Sequence, residues 1–440
     1  MLRKLFLPVI AGLLVFACDV NKHHQQTGTF KVTIENAGMA HPAVKSGVFN
    51  TPVGANNPGL ILPGQSYEFT FTAPMGAHLT LATMFAQSND WFYATDEQGI
   101  ALYHSDGSKV TGDVTSMIHL YDAGTEMDQE PGTGSNQAPR QPAPNTGPDD
   151  TNMNVREVNM DGLPSTDQVI KVTLMETGTY GFKVRIENES DDMTLQTSEG
   201  GKSVPLSPGV FVVHSARETG LLFQTGQMDY GDGLEHIAED GDPSMLAEHL
   251  DSITGLTVPF SPLAYAVYKG NNPIFMEGKP AEGNGLEAVA EDGNPSMLGT
   301  ALASEDMVNA SGTVDTPEGS SEAGILLPGQ KYSFTFEAAE GDRLTFASMF
   351  AQSNDVFFTP GATGLALFNN GTPVTGDVSS QIELWDSGTE MNEEPGIGSY
   401  QAPRQDAPDT GPADSNPNVR KVDDGYIYPN NMKVTIEMVN

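Results

Sequence analysis

The chain has 440 residues and a formal net charge of −37, with 58 acidic side chains against 21 Lys and Arg. That length exceeds one typical domain and predicts two or three. A surface this acidic excludes nucleic acid, anionic lipid headgroups and sulfated polysaccharides as partners, and it attracts cations. The single cysteine excludes a disulfide framework and a thiolate metal site.

The chain opens with MLRKLFLPVIAGLLVFACDV. Arg3 and Lys4 make a short basic region, and the apolar run from Leu5 to Phe16 is too short to favour a spanning helix. Its end, Val15-Phe16-Ala17-Cys18, looks like a bacterial lipoprotein signal, in which the cysteine after a small residue is lipidated. This predicts a signal peptide over 1–17, lipidation at Cys18 and a tether over 18–27. The protein would be lipid-anchored in the cell envelope, extracytoplasmic, and in contact with membrane only through that anchor.

Beyond the tether the sequence reads in strands. Tyr67, Phe69 and Phe71 alternate with polar residues, as do Tyr332, Phe334 and Phe336, and Pro63-Gly64 and Pro328-Gly329 are turn signals just before them. Phrases recur in order. GLILPGQSYEFTFTA at Gly59 returns as GILLPGQKYSFTFEA at Gly324, and LTLATMFAQSND at Leu79 as LTFASMFAQSND at Leu344. YDAGTEMDQEPG at Tyr121 returns as WDSGTEMNEEPG at Trp385, and QAPRQ at Gln137 recurs at Gln401. TFKVTIEN at Thr29 and GFKVRIEN at Gly181 open the copies; KVTLME at Lys171 and KVTIEM at Lys433 close them. The fold class predicted is all-β, two tandem antiparallel β-sandwiches, with short helices inserted in the second unit.

The boundaries that follow are 28–177 for a first, abridged domain and 178–440 for a second. Within the second, GLEHIAEDGDPSML at Gly233 returns as GLEAVAEDGNPSML at Gly285, an internal duplication over 206–250 and 260–300. Each phrase reads as a short helix, a glycine stop and a new helix. Gly241 and Gly293 suit the left-handed position, and Asp242 and Asn294 suit N-caps before Pro243 and Pro295. The Pro-rich stretches 129–154 and 392–418 read as long loops belonging to their domains. Acidic pairs such as Glu239-Asp240 read as solvated surface.

These phrases resemble the spondin N-terminal domain family. The residues that carry the resemblance are Ser88-Asn89-Asp90-Trp91 and Asp122-Ala123-Gly124-Thr125-Glu126, with their second-copy equivalents. It covers most of the chain after about residue 28. It implies a C2-like antiparallel sandwich with one bound Ca²⁺ per domain, and ligands at Asp90, Asp122 and Glu126 in the first copy and Asp355, Asp386 and Glu390 in the second. Glu126 and Glu390 stand where the animal members carry Asp. Val356 replaces Trp91, and Ser387 replaces Ala123. The residue types alone fit either reading of the Asp-x-Gly-Thr phrase: carboxylates gathered for a hard cation, or a turn in which Asp and Thr bond backbone groups.

Enzyme motifs fail. SEGGKS at Ser198 lacks the first glycine of a P-loop, there is no G-x-S-x-G or HExxH, and the nine His are scattered. The reading is a non-enzymatic calcium-binding envelope protein acting in adhesion, matrix association or ligand binding, with an unidentified protein or polysaccharide partner. The alternatives are a carbohydrate-binding protein or envelope hydrolase using the Pro-rich loops as a cleft, and a purely structural spacer.

Overall fold

The computed structural model describes residues 26–281, 283–422 and 428–439; the expected signal peptide and Cys18 lie outside them. The main strands of the first half are β1 (Thr27–Asn36), β2 (Ala43–Phe49), β3 (Ser66–Thr72), β4 (Ala77–Phe85), β5 (Trp91–Thr95), β6 (Ile118–Asp122), β7 (Ile170–Glu176), β8 (Gly181–Asn188) and β9 (Leu206–Ser215). Helices α1 (Leu234–Asp240) and α2 (Ser244–Ile253) follow. Next come β10 (Phe260–Tyr268), α3 (Leu286–Asp292), α4 (Ser296–Leu302), β11 (Val308–Val314) and β12 (Lys331–Ala339). The chain closes with β13 (Arg343–Phe350), β14 (Val356–Thr359), β15 (Glu383–Asp386) and β16 (Met432–Val439).

Their pairing is antiparallel and makes two sandwiches, as the alternation requires. In the first, the sheet β3-β8-β7 faces the sheet β2-β9-β4-β5-β6. In the second, β12-β1-β16 faces β11-β10-β13-β14-β15. Inward positions of both sheets fill each core: Tyr67, Leu81, Phe85, Val172 and Phe182 in the first, and Phe30, Phe260, Phe346, Tyr332 and Ile436 in the second. The outer face of each larger sheet is also apolar and takes a helix pair. Ala82, Phe92 and Val212 pack on Ile237 and Leu246, and Ala266 and Phe357 pack on Val289 and Leu298. The glycine stops hold, with Gly241 at φ 68° and Gly293 at φ 67°. Asp242 Oδ1 accepts the Ser244 N–H at 3.0 Å and Asn294 Oδ1 that of Ser296 at 3.1 Å, but the N-cap positions fall one residue later than expected, on Pro243 and Pro295.

The expected boundary at 177/178 falls in the hairpin joining β7 to β8, which are hydrogen-bonded neighbours. Residues 43–254 form the first sandwich, β8, β9 and α1–α2 included, and β1 is the central strand of the smaller sheet of the second. The first sandwich is therefore inserted between β1 and β10 of the second. The helices do not sit in one unit as an internal duplication: each sandwich has one pair, and the first is not abridged. Relative to the second, its strands run in permuted chain order.

Local chemistry explains why β1 crosses over. Its sequence and that of β8 are nearly the same, but β8 follows β7 after a four-residue turn, so loop closure favours it at β7's side. Cross-strand pairs reinforce the choice. Arg185 of β8 lies opposite Glu68 of β3 and bonds it at 2.8 Å, whereas Thr33 of β1 lies opposite Ser333 of β12. The two crossing segments run side by side. Gly255 N–H bonds Ala43 O at 3.0 Å, and His41 N–H bonds Thr257 Oγ1 at 2.7 Å. A side chain at Gly255 would meet the His41 ring at 2.8 Å.

Candidate metal centre

Register brings the two key aspartates together. Asp90 immediately precedes β5, Asp122 ends β6, and Trp91 is paired with Asp122. The turn after Asp122 needs Gly124: its φ is 74°, and a Cβ there would meet the Met153 carbonyl carbon at 2.8 Å. That turn aims N–H groups at Asp90. Its Oδ2 accepts from Thr125 N at 2.8 Å, Glu126 N at 3.0 Å and Thr125 Oγ1 at 3.1 Å. Its Oδ1 is buried and meets no donor, on a residue that is 0% exposed. A buried carboxylate oxygen without a partner is costly.

The surrounding charge points the same way. Carboxylate oxygens of Asp90, Asp122 and Asp128 all lie within 4.8 Å of one another. Asp122 Oδ1 accepts the Gly124 N–H at 2.7 Å, and its Oδ2 takes the Arg156 guanidinium, which also bonds Asp150 at 2.6 Å. Three carboxylates, Asp122, Asp128 and Asp150, thus share one guanidinium. Burial pushes the Asp90 carboxyl up to about 6, against the N–H groups of Glu126 and Thr125 that hold it down. Burial, then the charges of Asp90 and Asp128, push Asp122 upward. Asp128 is raised too, chiefly by burial. These are groups that a hard cation would hold ionised.

The second sandwich repeats the frame with three exchanges, Ser387 for Ala123, Val356 for Trp91 and Asn392 for Asp128. Asp355 Oδ2 accepts from Thr389 N at 2.8 Å, Ser387 Oγ at 3.0 Å and Glu390 N at 3.1 Å, and its Oδ1 is again buried without a partner. Asp386 is held by Gly388 N at 2.7 Å and Arg420 at 2.6 Å. Where the first copy has Asp128, the second has Asn392, whose Nδ2 donates to Asp386 Oδ2 at 2.8 Å. Among the described residues no three-carboxylate group forms here.

Glu126 and Glu390 lie outside the aspartate group. Glu126 accepts the Gly147 N–H at 2.6 Å and Asn89 Nδ2 at 3.2 Å; Glu390 accepts the Gly411 N–H at 2.6 Å. They clamp the Pro-rich loops, and a Cβ at Gly147 would stand 2.1 Å from the Glu126 carboxylate. Arg140 completes that anchoring through Gly134 O at 2.8 Å and Gln87 Oε1 at 3.0 Å, with Arg404 doing the same through Gly398 and Gln352. The repeated QAPRQ phrase is this anchor.

Sequence reasoning passed over Asp128, Asp150 and Arg156. Asp128 stands inside the repeated phrase, and its exchange for Asn392 was the available signal. Glu239, expected on solvated surface, is buried. It and its equivalent Glu291 are each 1% exposed, with no partner at either carboxylate oxygen, and burial pushes both up to about 8. No family model matches this chain, and no curated protein matches it.

Proposed function

We propose that this chain is a non-enzymatic, calcium-binding envelope protein of the spondin type, lipid-anchored through Cys18, that presents two cation-stiffened sandwiches for adhesion, matrix association or ligand binding. The observation that carries the cation is the orphaned, buried Oδ1 of Asp90 and of Asp355, each beside a second aspartate at the end of a paired strand. Asp90, Asp122 and Asp128 form the ligand set of the first site; Asp355 and Asp386 form the core of the second. Ca²⁺ takes about six to eight oxygens at roughly 2.3–2.6 Å, so backbone carbonyls and water complete the shell. Glu126 and Glu390 join only by releasing the Gly147 and Gly411 N–H groups. The ion crosslinks the β4–β5 turn to the end of β6 and fixes the root of the loop that follows. It thereby couples occupancy to stability and to the shape of the exposed loop.

A second reading rests on Arg156 and Arg420. Each already neutralises the second aspartate of its site, so the phrase could be a turn whose cation is the guanidinium. Calcium calorimetry on the chain after Cys18, with Asp122→Asn and Asp386→Asn and with melting curves in chelator, separates the two. One ion lost with each variant, and melting raised by calcium, is the expected result. Absence of heat at millimolar calcium, with chelator leaving the melt unmoved, would replace the calcium reading by the arginine-locked turn.

A further inference from the structure

The second sandwich carries another acidic constellation, beside the Asp355–Asp386 pair with the Thr389 hydroxyl between them, but built from different elements. Glu287 and Glu291 stand one turn apart on the same face of α3. Asp409 arrives from the Pro-rich loop, and carboxylate oxygens of the three residues lie within 4.8 Å of one another. The loop is pinned over the helix: Gln405 Nε2 bonds Asp292 Oδ1 at 2.9 Å, and the backbone N–H of Asp409 bonds the same carboxylate.

Acidic groups gathered on a surface often mean nothing. Here the inner member decides. Glu291 is 1% exposed, aims into the group, and has no hydrogen-bond partner at either carboxylate oxygen. The neighbouring Thr389 hydroxyl is bonded to Ser387 and Asp355 instead. A fully buried carboxylate with both oxygens unmet, walled by two further carboxylates that open to solvent, is the donor set a hard divalent ion takes: oxygen ligands on one side, water on the other.

The first sandwich supplies the internal control. At the place of Asp409 it has Asn145, in the same left-handed conformation, with φ 50° against 53°. Asn145 Nδ2 donates to Glu235 Oε1 at 2.8 Å, so an amide closes over the helix where the second sandwich has a third carboxylate. We infer that Glu287, Glu291 and Asp409 form an additional calcium site, present in the second sandwich and withheld from the first by Asn145.

The test is calcium titration calorimetry on the full-length protein, its Asp409→Asn variant and its Asn145→Asp variant, with circular dichroism as the fold check. Both exchanges place a residue the molecule already carries at the equivalent position, and both Asn and Asp tolerate the left-handed backbone. Asp409→Asn is expected to bind one ion fewer than wild type, and Asn145→Asp one more. An unchanged ion count and affinity in Asp409→Asn overturns the site. Absence of a gain in Asn145→Asp overturns the claim that this position decides which sandwich has it. Asp122→Asn and Asp386→Asn report on the sites of the proposed function, so the two claims fail separately.

Discussion

The two sandwiches share strands, turns, helix pairs and loop anchors, yet their three-carboxylate clusters sit in different places. The first gathers Asp90, Asp122 and Asp128 at the β5–β6 edge; the second gathers Glu287, Glu291 and Asp409 under the Pro-rich loop. Two single-atom-class exchanges account for this, Asp128 against Asn392 and Asn145 against Asp409. In each case an amide donates to a carboxylate where its counterpart presents a negative oxygen. The backbone frame is therefore a scaffold with two acidic places per sandwich, and one Asp or Asn at each decides whether a third carboxylate joins the group. A second contrast is one of connectivity: the first sandwich is continuous over 43–254, while the second depends on a strand that precedes the whole insertion.

That dependence offers the largest effect. Removing β1 takes Phe30, Val32 and Ile34, all fully buried, from the second core. At about 1.5–3 kcal/mol per side chain, together with the ladders on both sides, the loss matches the net stability of an ordinary domain, about 5–15 kcal/mol. A chain starting at residue 37 should melt with the first sandwich intact and the second lost, read by near-ultraviolet circular dichroism and limited proteolysis. A second sandwich that stays folded would break the insertion account.

The charge exchange at the β5–β6 edge comes next. Asn392→Asp should tighten the second site and Asp128→Asn should weaken the first, each by about tenfold, the scale of one ligand charge at a site exchanging about 1.4 kcal/mol. Calcium calorimetry measures both. Equal affinities in wild type and both variants would show that the third carboxylate is a bystander.

The pH profile should be smaller and of opposite sign at its two ends. Glu239 and Glu291 have folded values near 8 against an ordinary 4.5, burial being the main cause. Raised carboxyls favour the folded state fully below their ordinary value, and that contribution fades as pH climbs through the folded one. In chelator, then, melting temperature should fall from about pH 5 towards pH 8, and calcium should flatten only the second sandwich's share, by replacing the Glu291 proton. His214 acts the other way in the first sandwich alone, since Tyr268 holds its place in the second. Burial lowers its pKa, so its contribution is present above the ordinary histidine value and lost on acidification through the folded one. Melting of the first sandwich should therefore weaken below about pH 6 while the second does not follow.

The smallest effect tests strand choice. Glu68→Ser with Arg185→Thr gives β3 and β8 the polar pair found between β12 and β1. The pair is half-buried at the surface, and surface pairs contribute roughly 0.2–1 kcal/mol, so stability should barely move. β1 and β8 then lose a mark that tells them apart, and slow exchange into strand-swapped dimers should rise on refolding, counted by size-exclusion chromatography with light scattering. Monomeric refolding at wild-type yield would leave the short β7–β8 turn as the sole determinant.

Much of the architecture was written locally. Alternation at Tyr67-Phe69-Phe71 fixed which face is buried, Pro63-Gly64 fixed a turn, and Gly241 fixed a helix stop, because each depends on residues a few positions away. The convergence of Asp90 and Asp122 was expected only from the resemblance, because 32 residues separate them and the pairing of β5 with β6 brings them together. What the sequence left open needed partners far along the chain. FKVTIEN and FKVRIEN carry one pattern, and periodicity names a face without naming the sheet, so only the assembled molecule shows that β1 completes the distant sandwich. Glu126 looked like a ligand by its place in the phrase, but a folded-back Gly147 N–H takes its carboxylate. Glu239 looked like surface by its charge, but the helix that carries it packs on the larger sheet and brings it beside Thr125, Glu126 and Asp90 of the metal-centre turn, where it is buried.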